Sequence, residues 1–221
     1  MYQHEWFSGA VCQLPTGKAV CIGANYQDHI QEMHSVVNEQ AVWFMKPSTA
    51  FRALAQGIVI PKAQGVCHHE LELVMLIGEP LTHASHQQVQ SAIIGIAVGL
   101  DLTLREVQKQ LKAQGRPWER AKAFDGAAVV SPFIAASEFS DWQTIPFTLR
   151  VNNELRQQGN SNMMLRTITA MIAEMSEHFS FLPGDVVYTG TPAGVAALQH
   201  GDRVRLSLAD YQFDSTVMAS N

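Results

Sequence analysis

Short apolar runs bounded by Gly, Pro or Asn dominate the chain and constrain its fold more than any other feature. Runs rich in Val, Ile and Leu predict β-strands, and continuous apolar runs predict strands that are buried on both faces. Strands are expected at residues 19–22, 41–45, 71–77, 92–100, 147–151, 185–189 and 203–208.

Helical periodicity is weaker. It predicts short helices over 27–33 and 104–113 and a longer helix over 164–176, with Leu165, Ile168, Met171, Ile172 and Met175 on one face. Residues 87–90 are expected to lead into a strand. Because the strands do not alternate regularly with long helices, a doubly wound sheet and a TIM barrel are disfavoured. The predicted fold class is α+β and β-rich.

Charge and cysteine content exclude several classes of protein. The 221 residues carry 15 Lys+Arg and 20 Asp+Glu, a net charge of −5, so no basic surface is expected for nucleic acid or anionic lipid. The longest uncharged apolar run, 92–100, is too short to span a membrane. Cys12, Cys21 and Cys67 form no CxxC pair, and no signal peptide is recognisable, which favours buried, reduced thiols and a cytoplasmic location.

Three carboxylates stand out against the apolar strands. Glu70 and Glu72 are two apart and therefore share one strand face, while Asp101 follows a run predicted to be a buried strand. Carboxylates grouped without cysteines suit Mg²⁺, Mn²⁺ or Ca²⁺, whereas His68 and His69 keep zinc open. A half-exposed strand with a solvated acidic face remains the alternative.

Basic residues near these segments allow two interpretations. A helix beginning near Thr103 would bring Arg105 close to Asp101, either as part of a site or as a simple ion pair. Lys122 and Lys46 lie among small and apolar residues, so each either extends to solvent or is desolvated beside a metal and an anionic substrate.

Two histidine pairs are candidates for chemistry. His29 and Glu32 are three apart and would form a hydrogen-bonded acid–base pair on a helix, although a purely structural histidine is also open. His83 and His86 have ligand spacing, but their surroundings are typical of an exposed turn. No GxGxxG or GxxxxGK[ST] motif is present, which argues against a nucleotide cofactor.

Together these segments resemble the fumarylacetoacetate hydrolase family, in its short single-domain form. The matching pieces occur in the family's order: GANYQDHIQEM (23–33), WFMKPSTAF (43–51), HHELELVMLIG (68–78), GLDLTLREVQ (99–108), WERAKAFDGAAVVSP (118–132), VNNELRQQGNSNMML (151–165) and LPGDVVYTGTPAGV (182–195). The resemblance implies one catalytic domain over 1–221, with residues 1–17 as a short extension. It also implies rolled mixed sheets flanked by short helices, and a homodimer.

The resemblance also implies a site. Glu70, Glu72 and Asp101 would bind Mg²⁺ or Mn²⁺, with no organic cofactor. The implied catalytic and substrate-binding residues are His29, Glu32, Lys122, Asn25, Tyr26, Lys46, Arg105, Gln108 and Thr191. Residues 24–34 correspond to a lid that orders over substrate in some members. Where the family commonly has Asp-Val-Thr-Ala-Arg-Asp, Leu104 replaces the alanine and is expected to alter the pocket wall.

The implied substrates are small oxo acids. The leading expectation is hydrolysis of an acylpyruvate to pyruvate and a carboxylic acid, in which His29, oriented by Glu32, activates water. Lys122 and Arg105 would neutralise the substrate carboxylate, and Thr191 would position it. Decarboxylation or keto–enol tautomerisation of oxaloacetate is the alternative, since both use the same enolate. An inactive, metal-stabilised binding protein is a further alternative.

Overall fold

The structure is a computed structural model that describes residues 2–32 and 41–219. The described residues form sixteen strands, five α-helices and four short 3₁₀ helices. The strands are β1 Ala19–Gly23, β2 Val42–Lys46, β3 Phe51–Ala53, β4 Ile58–Ile60, β5 Cys67–His69, β6 Leu71–Ile77, β7 Ile93–Asp101, β8 Thr103–Leu104, β9 Ala128–Val130, β10 Ile134–Ala135, β11 Pro146–Val151, β12 Glu154–Asn160, β13 Val186–Tyr188, β14 Ala196–Ala197, β15 Arg203–Leu208 and β16 Tyr211–Ala219. The α-helices are α1 Gln27–Glu32, α2 His86–Ala92, α3 Arg105–Ala113, α4 Glu119–Lys122 and α5 Ile168–Ser176.

An eight-stranded mixed sheet forms the centre of the molecule. Its order is β2-β1-β13-β6-β7-β9-β3, with β10 paired to β7. Every residue of β6 is buried, as expected for a continuous apolar strand covered on both faces. The neighbouring strands β6 and β7 are antiparallel, so Leu71 lies opposite Leu100. This register brings the start of β6 next to the end of β7.

Two smaller sheets complete the fold. A five-stranded sheet has the order β12-β11-β15-β16-β4, and a three-stranded sheet has the order β14-β5-β8. In the smaller of these, β5 pairs with both β8 and β14. This small sheet therefore brings three segments together: β5, which precedes Glu70, β8, which precedes Arg105, and β14, which follows Thr191. The α+β, β-rich fold class predicted from the sequence is confirmed.

The predicted strands all occur, with ends shifted by a few residues. The helix expected over 104–113 begins at Arg105, because Leu104 pairs with Cys67. The helix over 27–33 is observed as Gln27–Glu32, and the end of the predicted segment lies outside the described residues.

The prediction for residues 87–90 was wrong, and the helix expected over 164–176 is present but begins later than predicted. Residues 87–90 belong to helix α2, which begins with a capping box between Ser85 and Gln88. The helix expected over 164–176 begins only at Ile168, because Thr167 caps it and Asn25 accepts a hydrogen bond from the Leu165 amide (2.9 Å). Leu165 is consequently outside the helix and exposed.

Cys12, Cys21 and Cys67 are buried and form no disulfide with one another.

At the N-terminus, His4 is fully buried, with Nε2 2.9 Å from the Gly184 carbonyl oxygen. No helix within the described residues is long and apolar enough to cross a membrane.

Candidate active site

Three carboxylates lie together where β6 begins and β7 ends. Glu70, Glu72 and Asp101 are all buried, and each offers an oxygen within 4.8 Å of the others. The Asp101 amide donates to the Glu70 carbonyl (2.8 Å), which fixes the two strand ends. The acidic residues therefore do not form a solvated strand face, and neither His68 nor His69 joins the cluster.

Lysine side chains reach this cluster from two directions. Lys122 Nζ is 2.5 Å from Glu70 Oε2 and 2.6 Å from Asp101 Oδ2. Burial by itself would lower the pKa of Lys122. The carboxylates of Asp101 and Glu70 raise it by a larger amount, so the pKa lies above its ordinary value. Lys46 Nζ lies 2.7 Å from Asp101 Oδ1 and donates to the Ala127 carbonyl (3.1 Å). Lys122 therefore stays protonated, and the Asp101 carboxylate contacts an ammonium group on each of its two oxygens.

Arg105 contacts Glu70, whereas the sequence suggested a contact with Asp101. The pairing of β5 with β8 carries the start of α3 past Glu70, which explains the difference. Burial raises the pKa of Glu70, but Lys122 and Arg105 outweigh burial and hold it well below its ordinary value. Glu70 is therefore ionised at neutral pH.

Glu72 has a different environment. Its Oε2 accepts a hydrogen bond from the Gly190 amide (2.7 Å), and no cation pairs with it among the residues that the structure describes. Burial, together with Asp101 and Glu70, raises its pKa well above the ordinary value. A divalent cation would remove this repulsion, and three oxygen ligands suit Mg²⁺ or Mn²⁺. The donor set therefore fits the metal implied by the sequence.

A histidine–glutamate pair lies on the short helix α1. His29 Nδ1 is 3.3 Å from Glu32 Oε2, and Glu32 Oε1 accepts from the Gly194 amide at 3.0 Å. The last contact ties α1 to the loop that follows β13. Burial lowers the pKa of His29, although Glu70 and Glu32 raise it, so the imidazole is neutral at neutral pH. If Nδ1 donates to Glu32, Nε2 is the free basic nitrogen.

A cavity of about 290 Å³ adjoins both groups. Its lining includes Glu70, Glu72, His29, Lys122 and Thr191, together with one face of α3 that presents Arg105, Gln108 and Lys112. Arg105 Nη1 donates to Gln108 Oε1 (2.8 Å), which fixes both side chains. The volume suits a small substrate.

Three predicted substrate-binding residues lie behind the cavity rather than along it. Lys46 is fully buried and holds Asp101, as described above. Asn25 donates to the Thr189 carbonyl (2.9 Å) and accepts from the Arg166 amide (2.9 Å), which positions α1 relative to β13. Tyr26 is buried, and its hydroxyl has no hydrogen-bond partner among the described residues.

The expectation that Leu104 alters the pocket wall was wrong. Leu104 is buried in the hydrophobic core and does not line the cavity, because β8 turns its side chain away from the site. The exposed His83 pairs with Glu177 at 2.8 Å, so no metal site forms there.

Sequence reasoning gave no role to Gln157, Lys112 or Trp118. Gln157 is buried; its Oε1 accepts from the Leu71 amide (3.0 Å), and its Nε2 donates to Thr191 Oγ1 (2.8 Å). It therefore links β6 to the loop after β13. Gln157 is the one buried polar side chain of β12, which the sequence alone did not indicate. Lys112 was detectable from its helical spacing to Gln108.

The fold and site define a class of enzyme: curled mixed sheets that gather acidic and basic side chains around a small cavity. The model of the fumarylacetoacetate (FAA) hydrolase C-terminal family matches residues 18–217. The chain belongs to the fumarylacetoacetate hydrolase family, as its sequence motifs indicated.

Several relatives have named activities. The chain is 47% identical over 219 residues to the oxaloacetate tautomerase YcgM of Escherichia coli (strain K12), covering 99% of this chain and 100% of that protein. It is 35% identical over 189 residues to the human mitochondrial oxaloacetate tautomerase FAHD1, covering 86% of each. A crystal structure of fumarylpyruvate hydrolase from Pseudomonas aeruginosa, in complex with Mn²⁺ and pyruvate, is similar with a TM-score of 0.92 and 30% identity, covering 99% of this chain and 96% of that one.

Proposed function

We propose that the protein is a divalent-metal-dependent tautomerase that interconverts the keto and enol forms of oxaloacetate. The observation that carries this proposal is the neutral, buried His29, which lines the same small cavity as Glu70 and Glu72, two members of the carboxylate cluster. The 47% identity to an oxaloacetate tautomerase favours this reaction over acylpyruvate hydrolysis, which the sequence motifs put first.

Glu70, Glu72 and Asp101 would hold Mg²⁺ or Mn²⁺. The chemistry supplied by such an ion, when bound, is polarisation of the 2-oxo group, which makes the C3 proton more acidic. His29 would remove the C3 proton through Nε2, while Glu32 holds the ring and stabilises the imidazolium that forms. The reaction moves one proton from C3 to the C2 oxygen and consumes no water.

The basic residues would handle the negative charge of the substrate. Lys122 stays protonated and can donate a hydrogen bond to the oxygen on which charge develops. Arg105, held by Gln108, and the hydroxyl of Thr191 would orient the carboxylate next to the 2-oxo group. All these groups are fixed before substrate binds, so little reorganisation is needed.

Acylpyruvate hydrolysis is the second candidate, and the structural similarity to a fumarylpyruvate hydrolase favours it. The same His29 would then activate a water molecule toward the distal carbonyl. The two candidates differ in whether water enters the cavity.

One assay separates these reactions. Oxaloacetate, acetylpyruvate and fumarylpyruvate are incubated with Mg²⁺ and protein, and enol absorbance and pyruvate release are followed together. We expect faster equilibration of the oxaloacetate enol without pyruvate release. Because free metal also promotes enolisation, the His29→Ala variant with the same Mg²⁺ is the control. Pyruvate release from oxaloacetate would indicate decarboxylation, and release from an acylpyruvate would indicate hydrolysis.

A further inference from the structure

Helix α3 directs a row of polar side chains into the cavity. Arg105, Gln108 and Lys112 are spaced by three and four residues, so they lie on one helix face, and all three line the cavity. At 1.5 Å per residue, the backbone positions of Arg105 and Lys112 are separated by about 10 Å along the axis. The backbone of Lys112 therefore lies about two turns farther along α3 than that of Arg105, whose side chain contacts Glu70.

Lys112 differs from the other cations that line the cavity. Arg105 and Lys122 are both engaged by Glu70. Lys112 makes no ion pair with any carboxylate in the described part of the chain, and its ammonium group lies 4.6 Å from the centre of the Trp118 ring. Lys112 is thus an exposed lysine at the cavity lining, with its ammonium group against the Trp118 ring and no anionic partner among the described residues.

The surrounding charges favour an anion at this position. Burial lowers the pKa of Lys112, and the neighbouring cations Lys122 and Arg105 lower it further, while Glu70 opposes them. An anion placed beside Lys112 would relieve the repulsion among these cations and gain a charge-assisted hydrogen bond.

We propose that Lys112, backed by Trp118, binds the second carboxylate of a four-carbon 2-oxo diacid and thereby selects diacids over monocarboxylic oxo acids. This inference rests on the proposed function, since that function places the 2-oxo group and its carboxylate at the Glu70 end. The carbon chain of the substrate then extends along α3 toward Lys112. Trp118 limits the positions available to the ammonium group.

The test compares Lys112→Met with Lys109→Met. Lys109 is an exposed lysine on the same helix that does not line the cavity, so it is a matched control for loss of charge. Steady-state tautomerisation is measured with oxaloacetate and with its 4-methyl ester, which lacks the second charge. Loss of one partly exposed charged hydrogen bond predicts a fall of about 5- to 30-fold in kcat/KM for oxaloacetate in Lys112→Met. The fall should arise mainly in KM. The methyl ester and the Lys109→Met variant should change less than about twofold.

A binding measurement decides the subsite independently of catalysis. L-Malate and 2-hydroxybutyrate share a hydroxy acid group and differ in the second carboxylate, and neither can enolise. With Mg²⁺ present, calorimetry should show that Lys112→Met weakens malate binding about 5- to 30-fold and leaves 2-hydroxybutyrate unchanged. Equal effects on both ligands, or no effect on malate, would overturn the proposal. Absence of tautomerase activity in the parent protein would instead refute the proposed function, while the malate comparison would still decide the role of Lys112.

Discussion

Replacing Gln157 by leucine should disconnect the two parts of the backbone that frame the carboxylate cluster. The Gln157 carboxamide accepts from the Leu71 amide at 3.0 Å and donates to Thr191 Oγ1 and the Pro192 carbonyl, both at 2.8 Å. Leucine has a similar size but offers no hydrogen bond. The substitution therefore removes the polar contacts with little loss of packing volume.

The expected magnitude follows from the groups left unpaired. The Leu71 amide and the Pro192 carbonyl are buried, and each buried group without a partner costs about 1–3 kcal/mol. The buried His69 Nδ1, 2.8 Å from Gln157 Oε1, also loses its partner and adds to this cost. The free energy of unfolding should therefore fall by about 2–6 kcal/mol. For a domain of this size, that corresponds to a Tm lower by about 5–20 °C. Because Thr191 loses its support, kcat/KM for oxaloacetate should fall as well.

Thermal unfolding, followed by circular dichroism or calorimetry, measures the effect. Gln158→Leu is the matched control, because Gln158 is the next residue of β12 and faces solvent. A Gln157→Leu protein that melts within about 2 °C of the Gln158→Leu control would refute the reasoning.

Three further predictions concern the charged groups. Glu72→Gln should lower Mg²⁺-dependent turnover by on the order of 100-fold while the protein still folds by circular dichroism; full activity would contradict metal binding by Glu72. Because burial lowers the pKa of His29, the midpoint of the decrease in kcat/KM on the acidic side of the pH profile should lie below pH 6.5. Glu32→Gln removes a carboxylate that raises this pKa, so the midpoint should move to still lower pH; a shift upward in the pH profile would contradict the pairing. Lys46→Met removes one of the two cations that contact the buried Asp101, so the free energy of unfolding, measured with denaturant, should fall by about 3 kcal/mol. An unchanged free energy of unfolding would show that Lys46 is dispensable for stability.

The carboxylate cluster was predictable because its determinants are local. Glu72 lies in β6 and Glu70 directly precedes it, two residues away, while Asp101 is the last residue of the buried strand β7. Antiparallel pairing of the two strands then brings the three groups together. Strand periodicity indicated that Glu70 and Glu72 share a face but left a solvated face open, and the family resemblance joined Asp101 to them as metal ligands.

The partners of the basic residues were not predictable in the same way. Lys46 and Lys122 are 76 residues apart, yet the ammonium group of the first donates to the carbonyl of the second. Arg105 meets Glu70 because β5 pairs with β8, and both are very short strands with little sequence signal. Contacts that depend on the register of such short strands cannot be obtained from periodicity alone.

The helix that ends at Ser176 shows how tertiary contacts override propensity. Apolar spacing favoured a start at Met164, but Asn25 binds the backbone of Leu165 and Arg166 and keeps that segment extended. The helix begins only where Thr167 can cap it. Because Asn25 also precedes α1, this contact connects the position of the His29 helix to the start of α5.

The three carboxylates do not share their positive partners equally, and this asymmetry couples metal binding to pH. Lys122 bridges Glu70 and Asp101, whereas Glu72 accepts only the Gly190 amide among its described contacts. Burial and its two acidic neighbours raise the pKa of Glu72, so without metal this group favours its protonated form. A raised pKa contributes stability at low pH, which is lost as pH rises through the pKa of the folded state. A divalent cation must displace the proton of Glu72, so the affinity of the protein for the cation rises with pH. The stabilisation that the bound cation supplies therefore grows over the pH range in which the free energy of unfolding of the metal-free protein falls.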